Sequence, residues 1–234
     1  MYRAILFDVS DTLVDYAPNY AQIYGDRLRA LGFAVDAAKA REIRRAVNWA
    51  IGRQSLWEMQ GAAALSAAAS GEMKNRAALS CVAFPREMEA VYLQKMAEMP
   101  EPPQQMRVMP GVFETLAALK SKYALGIVSN HHVWLADRLR ALGLYDFFQT
   151  VVISEAVGIE KPDVRILELA CLALGVPAAA CLYVGDHPLD VLCAKRAGMA
   201  CAWLAGDWCS LPPEVPYRED YRLAAISDLI GILR

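Results

Sequence analysis

The chain has 234 residues, 56% hydrophobic and 21% charged, with 24 basic and 26 acidic side chains and a net charge of −2. That length and apolar fraction exclude a disordered chain, and the near-neutral charge argues against a nucleic-acid-binding surface. Six cysteines, at 81, 171, 181, 193, 201 and 209, form no Cys-x-x-Cys pair and stand beside only three histidines. Zinc-ligand spacing is therefore absent, and buried free thiols in a reducing compartment are the expectation. No charged leader and apolar stretch precede the first element, and the Ala- and Ser-rich segment 61–71 is too short and too weakly hydrophobic to span a bilayer. A cytoplasmic protein with no membrane or nucleic-acid partner is expected, of unspecified oligomeric state.

In chain order, the apolar run Ala4-Ile5-Leu6-Phe7 predicts a buried strand that ends abruptly at Asp8, followed by the polar Ser10, Asp11 and Thr12. Ile23, Leu28 and Leu31 then recur at helical spacing until Gly32. Helical patterns follow from Ala37 to about Met59 and from Pro85 to Met99, with no convincing strand between about 16 and 105. A Pro-rich stretch, Pro100, Pro102 and Pro103, reads as a linker. Strand and helix then alternate: helix 112–122, strand 123–129, a helix through about Leu142, strand 150–154, helix 163–174, strand 181–184, helix 189–197 and strand 200–204. Repeated β-α units imply a parallel sheet covered by helices, with an all-helical insert.

Four strand ends carry polar groups. Asp8 is a carboxylate that can attack phosphorus or carbon, or simply cap a loop. Ser129-Asn130 ends its strand just before the expected helix, as an anion site or an ordinary N-cap. Lys161, in Gly-Ile-Glu-Lys-Pro-Asp, can neutralise a phosphoryl group, although a lone lysine is usually solvated. Asp186 and Asp190 flank a strand-to-helix turn and suit a hard cation such as Mg²⁺, or alternatively a cap and a first-turn acid.

In this order and strand context the four motifs resemble those of the haloacid dehalogenase superfamily, whose first motif usually runs Asp-x-Asp-Gly-Thr-Leu. The likeness spans residues 1–15 and 106–234, implying a Rossmann-like core, and the insert 16–105 sits where that family carries a helical C1-type cap that closes over the site. The resemblance implies that Asp8 is the nucleophile and a metal ligand, and that Ser129 binds the phosphoryl oxygen with Asn130 beside it. Lys161 would offset the charge, Asp186 would bind Mg²⁺ with Asp190 in support, and the Ser10 backbone carbonyl would complete the metal shell. The implied substrate is a small phosphorylated molecule.

One departure matters. Ser10 stands where the family has its second aspartate, which handles the leaving group's proton, and Asp11 stands in place of the usual glycine. A serine hydroxyl cannot replace a carboxylic acid near neutral pH, and such groups typically contribute about 10²–10⁴-fold. Three readings follow: a Mg²⁺-dependent phosphatase without its usual acid, a haloacid dehalogenase whose halide needs no proton, or a binding or regulatory module with weakened turnover. Asp11 could supply the missing carboxylate only if the loop were re-registered; a loop-capping role is the simpler expectation. His131 and His132 are expected in an exposed first helical turn, and His187 beside the paired acids. Tyr20, Tyr24, Trp49 and Trp57 read as insert core, and Arg41, Arg44, Arg45 and Arg53 as a solvated stripe.

Overall fold

The computed structural model describes residues 1–59, 62–206 and 210–233. Gly61 and Cys209 therefore lie outside the described residues. The chain divides into two compact units, Met1–Tyr16 with Met106–Arg234, and Ala17–Gln105. In chain order the elements of the first stretch are β1 (Ala4–Phe7), β2 (Val14–Ala17), α1 (Tyr20–Ala30), α2 (Ala37–Met59), α3 (Ala67–Leu79) and α4 (Glu89–Glu98). The rest of the chain adds β3 (Gln105–Val108), α5 (Val112–Lys120), β4 (Ala124–Ser129), α6 (Leu135–Ala141), β5 (Thr150–Ile153) and α7 (Ser154–Val157). It closes with α8 (Arg165–Leu174), β6 (Cys181–Gly185), α9 (Pro188–Arg196), β7 (Ala200–Leu204), β8 (Tyr221–Leu223) and α10 (Asp228–Ile232).

The larger unit is an α/β fold around a six-stranded parallel sheet of order β5-β4-β1-β6-β7-β8. Its central strands are apolar along their length because helices cover both faces of a parallel sheet. Every residue of β1 and β6 is buried, and each fully buried Ile, Leu or Phe contributes about 1.5–3 kcal/mol. Gly126 of β4 is dictated by packing, since a Cβ there would lie 2.8 Å from both Leu6 Cδ2 and Thr150 Cγ2. After β1 the chain builds β4 and β5 on one side, then β6, β7 and β8 on the other. That reversal opens a crevice at the carboxyl ends of β4, β1 and β6, where sheets of this kind bind ligands.

The second unit is helical, with a core of Ile23, Tyr24, Leu28, Ile43, Val47, Leu79, Leu93 and Met96 among others. Asn19 starts α1 through a reciprocal cap: its Oδ1 accepts from Gln22 N–H at 3.1 Å while Gln22 Oε1 accepts from Asn19 N–H at 2.9 Å. Helix α3 is absent from the sequence reading. Its Ala- and Ser-rich start has no apolar stripe, and its position is set by the Ser66 hydroxyl, which accepts from Ala69 N–H, and by burial of Ala78 and Leu79. Tyr24 is buried as expected, whereas Trp57 is 48% exposed beneath the Arg53 guanidinium. Trp57 is therefore not a core residue.

The short strands β2 and β3 pair as a separate two-stranded sheet. Strand 200–204 is not the last, since β8 follows it, and β2, β3 and α7 also lie outside the expected elements, because three or four residues carry too little periodicity to read. Among the described residues no helix is long and apolar enough to cross a membrane. Cys81, Cys181, Cys193 and Cys201 are buried free thiols, and burial pushes Cys193 up to about 12.

Candidate active site

Each of the four motifs lies at or just beyond the carboxyl end of a strand or in the loop after one. Asp8 follows the last residue of β1, Ser129 ends β4, and Asp186 follows Gly185 of β6. The Asp8 backbone N–H donates to Val184 O at 2.8 Å, which ties the nucleophile loop to the neighbouring strand. The loop after Asp8 is tight: Leu13 and Val14 N–H both donate to Val9 O, at 2.8 and 3.0 Å, and Asp11 N–H donates to Val14 O at 2.7 Å. Asp11 takes a left-handed backbone, φ 54°. The family's usual glycine fits that conformation freely, and aspartate is among the few other residues that tolerate it.

Lys161 is the centre of the site and is only 4% exposed. Its ammonium donates to Asp8 Oδ1 at 2.7 Å, Asp190 Oδ1 at 2.7 Å and the Tyr183 hydroxyl at 2.9 Å. All three of its hydrogens are used, so the buried charge is fully satisfied. Burial alone would lower the Lys161 ammonium, but the Asp190 and Asp8 carboxylates outweigh it and hold the group well above the ordinary lysine range. Lys161 is thus buried and paired, unlike the solvated surface residue that a lone lysine usually is.

Two neighbours position it. Asn130 clamps the Lys161 backbone, its Nδ2 donating to Lys161 O at 2.8 Å and its Oδ1 accepting from Lys161 N–H at 2.7 Å. Asn130 thus stands beside Ser129 as expected by its place in the chain, and one donor and one acceptor bond of its amide are engaged with the lysine segment. Tyr183 was not singled out from the sequence. Its hydroxyl donates to Val128 O at 2.8 Å while receiving Lys161, and burial keeps the phenol neutral by raising it well above its ordinary value. The signal was available: a tyrosine in a fully buried strand needs a partner for its hydroxyl.

Asp190 is 1% exposed and accepts on both oxygens, from Lys161 on Oδ1 and from His187 N–H at 2.9 Å on Oδ2. His187 caps α9 through Nδ1, which accepts from Leu189 N–H at 3.1 Å. Gly185 is required by this arrangement, since a Cβ there would overlap the Asp190 carboxylate. Asp186 accepts from the Thr12 hydroxyl at 3.2 Å, and its carbonyl accepts from Trp203 Nε1 at 2.7 Å. Thr12, fully buried, is a second residue that the sequence reading left without a role.

Carboxylate oxygens of Asp8, Asp186 and Asp190 lie within 4.8 Å of one another. Three carboxyl groups face one ammonium in a largely buried site, an excess of negative charge that, with burial, pushes the Asp8 carboxyl above its ordinary value despite Lys161. A hard divalent cation with oxygen ligands fits that donor set and that charge. Ser129 is 1% exposed at the end of β4, and its side chain favours the ionised form of Asp8.

The segment after Ser129 departs from expectation. Helix α6 starts at Leu135 and not directly after Asn130. His131 N–H donates to Ser154 Oγ at 3.0 Å and Val133 N–H to Glu155 Oε2 at 2.6 Å, so α7 holds the segment out of the helix. No helix N-terminus therefore stands at Ser129-Asn130. His131 is half-buried, edge-on to Trp134 with ring centroids 4.5 Å apart, and is not an exposed first-turn residue. Ser10, also half-buried, has its Oγ 3.3 Å from the Tyr16 hydroxyl, which in turn is 3.0 Å from His131 Nε2.

Comparison with known proteins identifies the family of the chain. A family model described as haloacid dehalogenase-like hydrolase matches residues 2–198. A phosphoglycolate phosphatase of Yersinia pseudotuberculosis is 30% identical over 204 residues, covering 86% of this chain and 80% of that protein. Among solved structures, the putative hydrolase YfnB of Bacillus subtilis, bound to magnesium, aligns with TM-score 0.63 at 22% identity over 100% of this chain and 99% of its own. The L-2-haloacid dehalogenase RSc1362 aligns with TM-score 0.66 at 20% identity over 99% and 98%. At those identities the two structures speak for the fold alone.

Proposed function

The chain belongs to the haloacid dehalogenase-like hydrolases and is a hydrolase of the phosphatase type, and from that premise we propose that it cleaves a small phosphorylated metabolite through an aspartyl-phosphate at Asp8. The carrying observation is the buried charge cluster around Lys161, with Asp8, Asp186 and Asp190 converging at the sheet's carboxyl end. Asp8 presents a carboxylate oxygen to phosphorus; the Asp8–phosphorus bond forms as the bond to the leaving oxygen breaks, and water then releases phosphate. Lys161, held by Asp190 and Tyr183, keeps Asp8 oriented through Oδ1 and offsets negative charge near the phosphoryl group. The Ser129 hydroxyl, at the end of β4, is assigned to a phosphoryl oxygen.

Asp8 and Asp186, the Ser10 carbonyl and, in support, Asp190 would hold Mg²⁺. When bound, the ion supplies charge neutralisation to the phosphoryl oxygens. The excess negative charge of the acid cluster favours this reading over metal-free halide displacement. The helical unit is assigned the role of the family's cap, and the protein is assigned to the cytoplasm.

The test is phosphate release from a panel of phosphate esters and acyl phosphates, and halide release from haloacids, each with and without Mg²⁺. Metal-dependent phosphate release that drops by on the order of 10⁴-fold or more in Asp8→Asn is expected. Turnover that survives Asp8→Asn, or metal-independent halide release, would overturn the assignment.

A further inference from the structure

Ser10 leaves the site without the carboxylic acid that would protonate a leaving group, yet its hydroxyl is not isolated. It begins a chain of three side chains from three separate segments: Ser10 in the nucleophile loop, Tyr16 in β2 and His131 after β4. The direction of that chain follows from its far end. His131 Nδ1 accepts a hydrogen bond from the His132 backbone N–H at 2.8 Å, a closer contact than the 3.4 Å to the His132 carbonyl. A ring nitrogen that accepts carries no hydrogen, so the hydrogen of the neutral ring is on Nε2.

Nε2–H then donates to the Tyr16 oxygen at 3.0 Å. The Tyr16 hydrogen is left to donate to Ser10 Oγ at 3.3 Å, and the Ser10 hydrogen is left for the active site. Burial lowers the His131 ring below its ordinary value, which favours its neutral form. Ser10 stands two residues after Asp8 in the same tight loop, which places the near end of the chain beside the nucleophile.

We infer that Tyr16 and His131 are positioning residues that aim the Ser10 hydroxyl as a hydrogen-bond donor at the leaving-group oxygen. The enzyme on this view selects phosphorylated substrates whose leaving group departs as an anion. This inference rests on the phosphatase reading and names its substrate class: acyl phosphates, phosphoanhydrides and acidic phenolic phosphates, in preference to alkyl esters.

The chemistry decides the preference. As the Asp8–phosphorus bond forms, the bond from phosphorus to the leaving oxygen breaks, and that oxygen keeps the electron pair. A neutral donor chain stabilises the resulting anion without transferring a proton, because passing the Nε2 hydrogen along would leave an imidazolate. A carboxylate, whose acid has a pKa of about 4, needs no more than that. An alkoxide, the anion of an acid about as weak as water, needs a proton.

Two measurements test this. The first is imidazole nitrogen NMR of the resting enzyme. With three histidines in the chain, His131 is assigned by subtraction using His131→Gln. A neutral ring with hydrogen on Nε2 is expected, and hydrogen on Nδ1 would reverse the chain and overturn the inference whatever the turnover.

The second is a leaving-group series running from acetyl phosphate through nitrophenyl and phenyl phosphate to glycerol phosphate. The wild type should be fastest at the acidic end. Ser10→Ala should lose on the order of 10²-fold with phenyl phosphate and under about threefold with acetyl phosphate. Tyr16→Phe should lose about tenfold with phenyl phosphate, following the same trend, and the double variant should be no worse than Ser10→Ala. Losses equal across the series, or multiplying in the double variant, overturn the donor chain; the phosphatase reading then stands as long as Asp8→Asn is silent. Absence of Asp8-dependent phosphate release from every substrate sinks that reading, and the inference falls with it.

Discussion

The α/β unit carries exposed ion pairs like those of the helical unit, but it also buries a pair. In the α/β unit the decisive pair is buried: the Lys161 side chain is 5% exposed, against 10% for Asp8 and 1% for Asp190. In the helical unit the ion pairs run along solvated surfaces, with Arg29–Asp26 exposed by 46% and 73% and Arg76–Glu72 by 52% and 60%. Water and salt screen the second kind, so a single pair there contributes little. Nothing screens the first kind, and every charge in it must find a partner. Chemistry that needs a fixed field is therefore built at the sheet's carboxyl end.

The largest break in that comparison should come from Lys161→Met. It leaves the Asp8 and Asp190 carboxylates buried beside one another without their cation. A loss of about 3–5 kcal/mol in urea unfolding is expected. A loss under about 1 kcal/mol would put the buried network on a par with a surface pair.

A smaller effect concerns His131, again in the α/β unit. Its folded value is held below the ordinary 6.5, chiefly by burial, with His132 acting in the same sense, while the His132 backbone, Asp8 and Glu155 pull the other way. A histidine lowered on folding binds its proton more readily when unfolded. Stability is therefore intact above about 6.5 and is lost as pH falls through that value toward the lower folded one. Unfolding free energies measured across this window should fall with pH in the wild type, with a shallower slope in His131→Gln. Equal slopes would mean that the ring is not desolvated.

The smallest effect belongs to the helical unit. Arg76→Ala removes the pairs to Glu72 and Glu89 and should change the unfolding free energy by less than about 1 kcal/mol, less still at high salt. A salt-independent loss of several kcal/mol would show that this surface carries a network comparable to the core.

Legibility followed the same division. The strands of the core could be read because burial on both faces forces continuous apolar runs such as Ala4–Phe7, ended by Asp8, and Cys181–Val184, ended by Gly185-Asp186. Helix α3 could not, because alanine and serine repeat without an apolar stripe, and its burial comes from neighbours remote in sequence. The start of α6 was misplaced because the backbone donors of His131 and Val133 are taken by Ser154 and Glu155, more than twenty residues downstream.

The chain's local pattern alone determined the alternation of strand and helix, the helical character of the insert, and the place of Asp8, Ser129 and Asp186 at strand ends, with Lys161 and Asp190 as further candidate polar groups. Period and punctuation are local properties, readable without knowing what packs on what. Tertiary structure decided that Lys161 is buried with three partners and that Asn130 holds its backbone. It also brought Tyr16 and His131 into line behind Ser10. Those relations depend on which strands become neighbours, and the partners of Lys161 lie 153, 29 and 22 residues away along the chain. Hydrogen bonds across such separations form only once the order β4-β1-β6 is built.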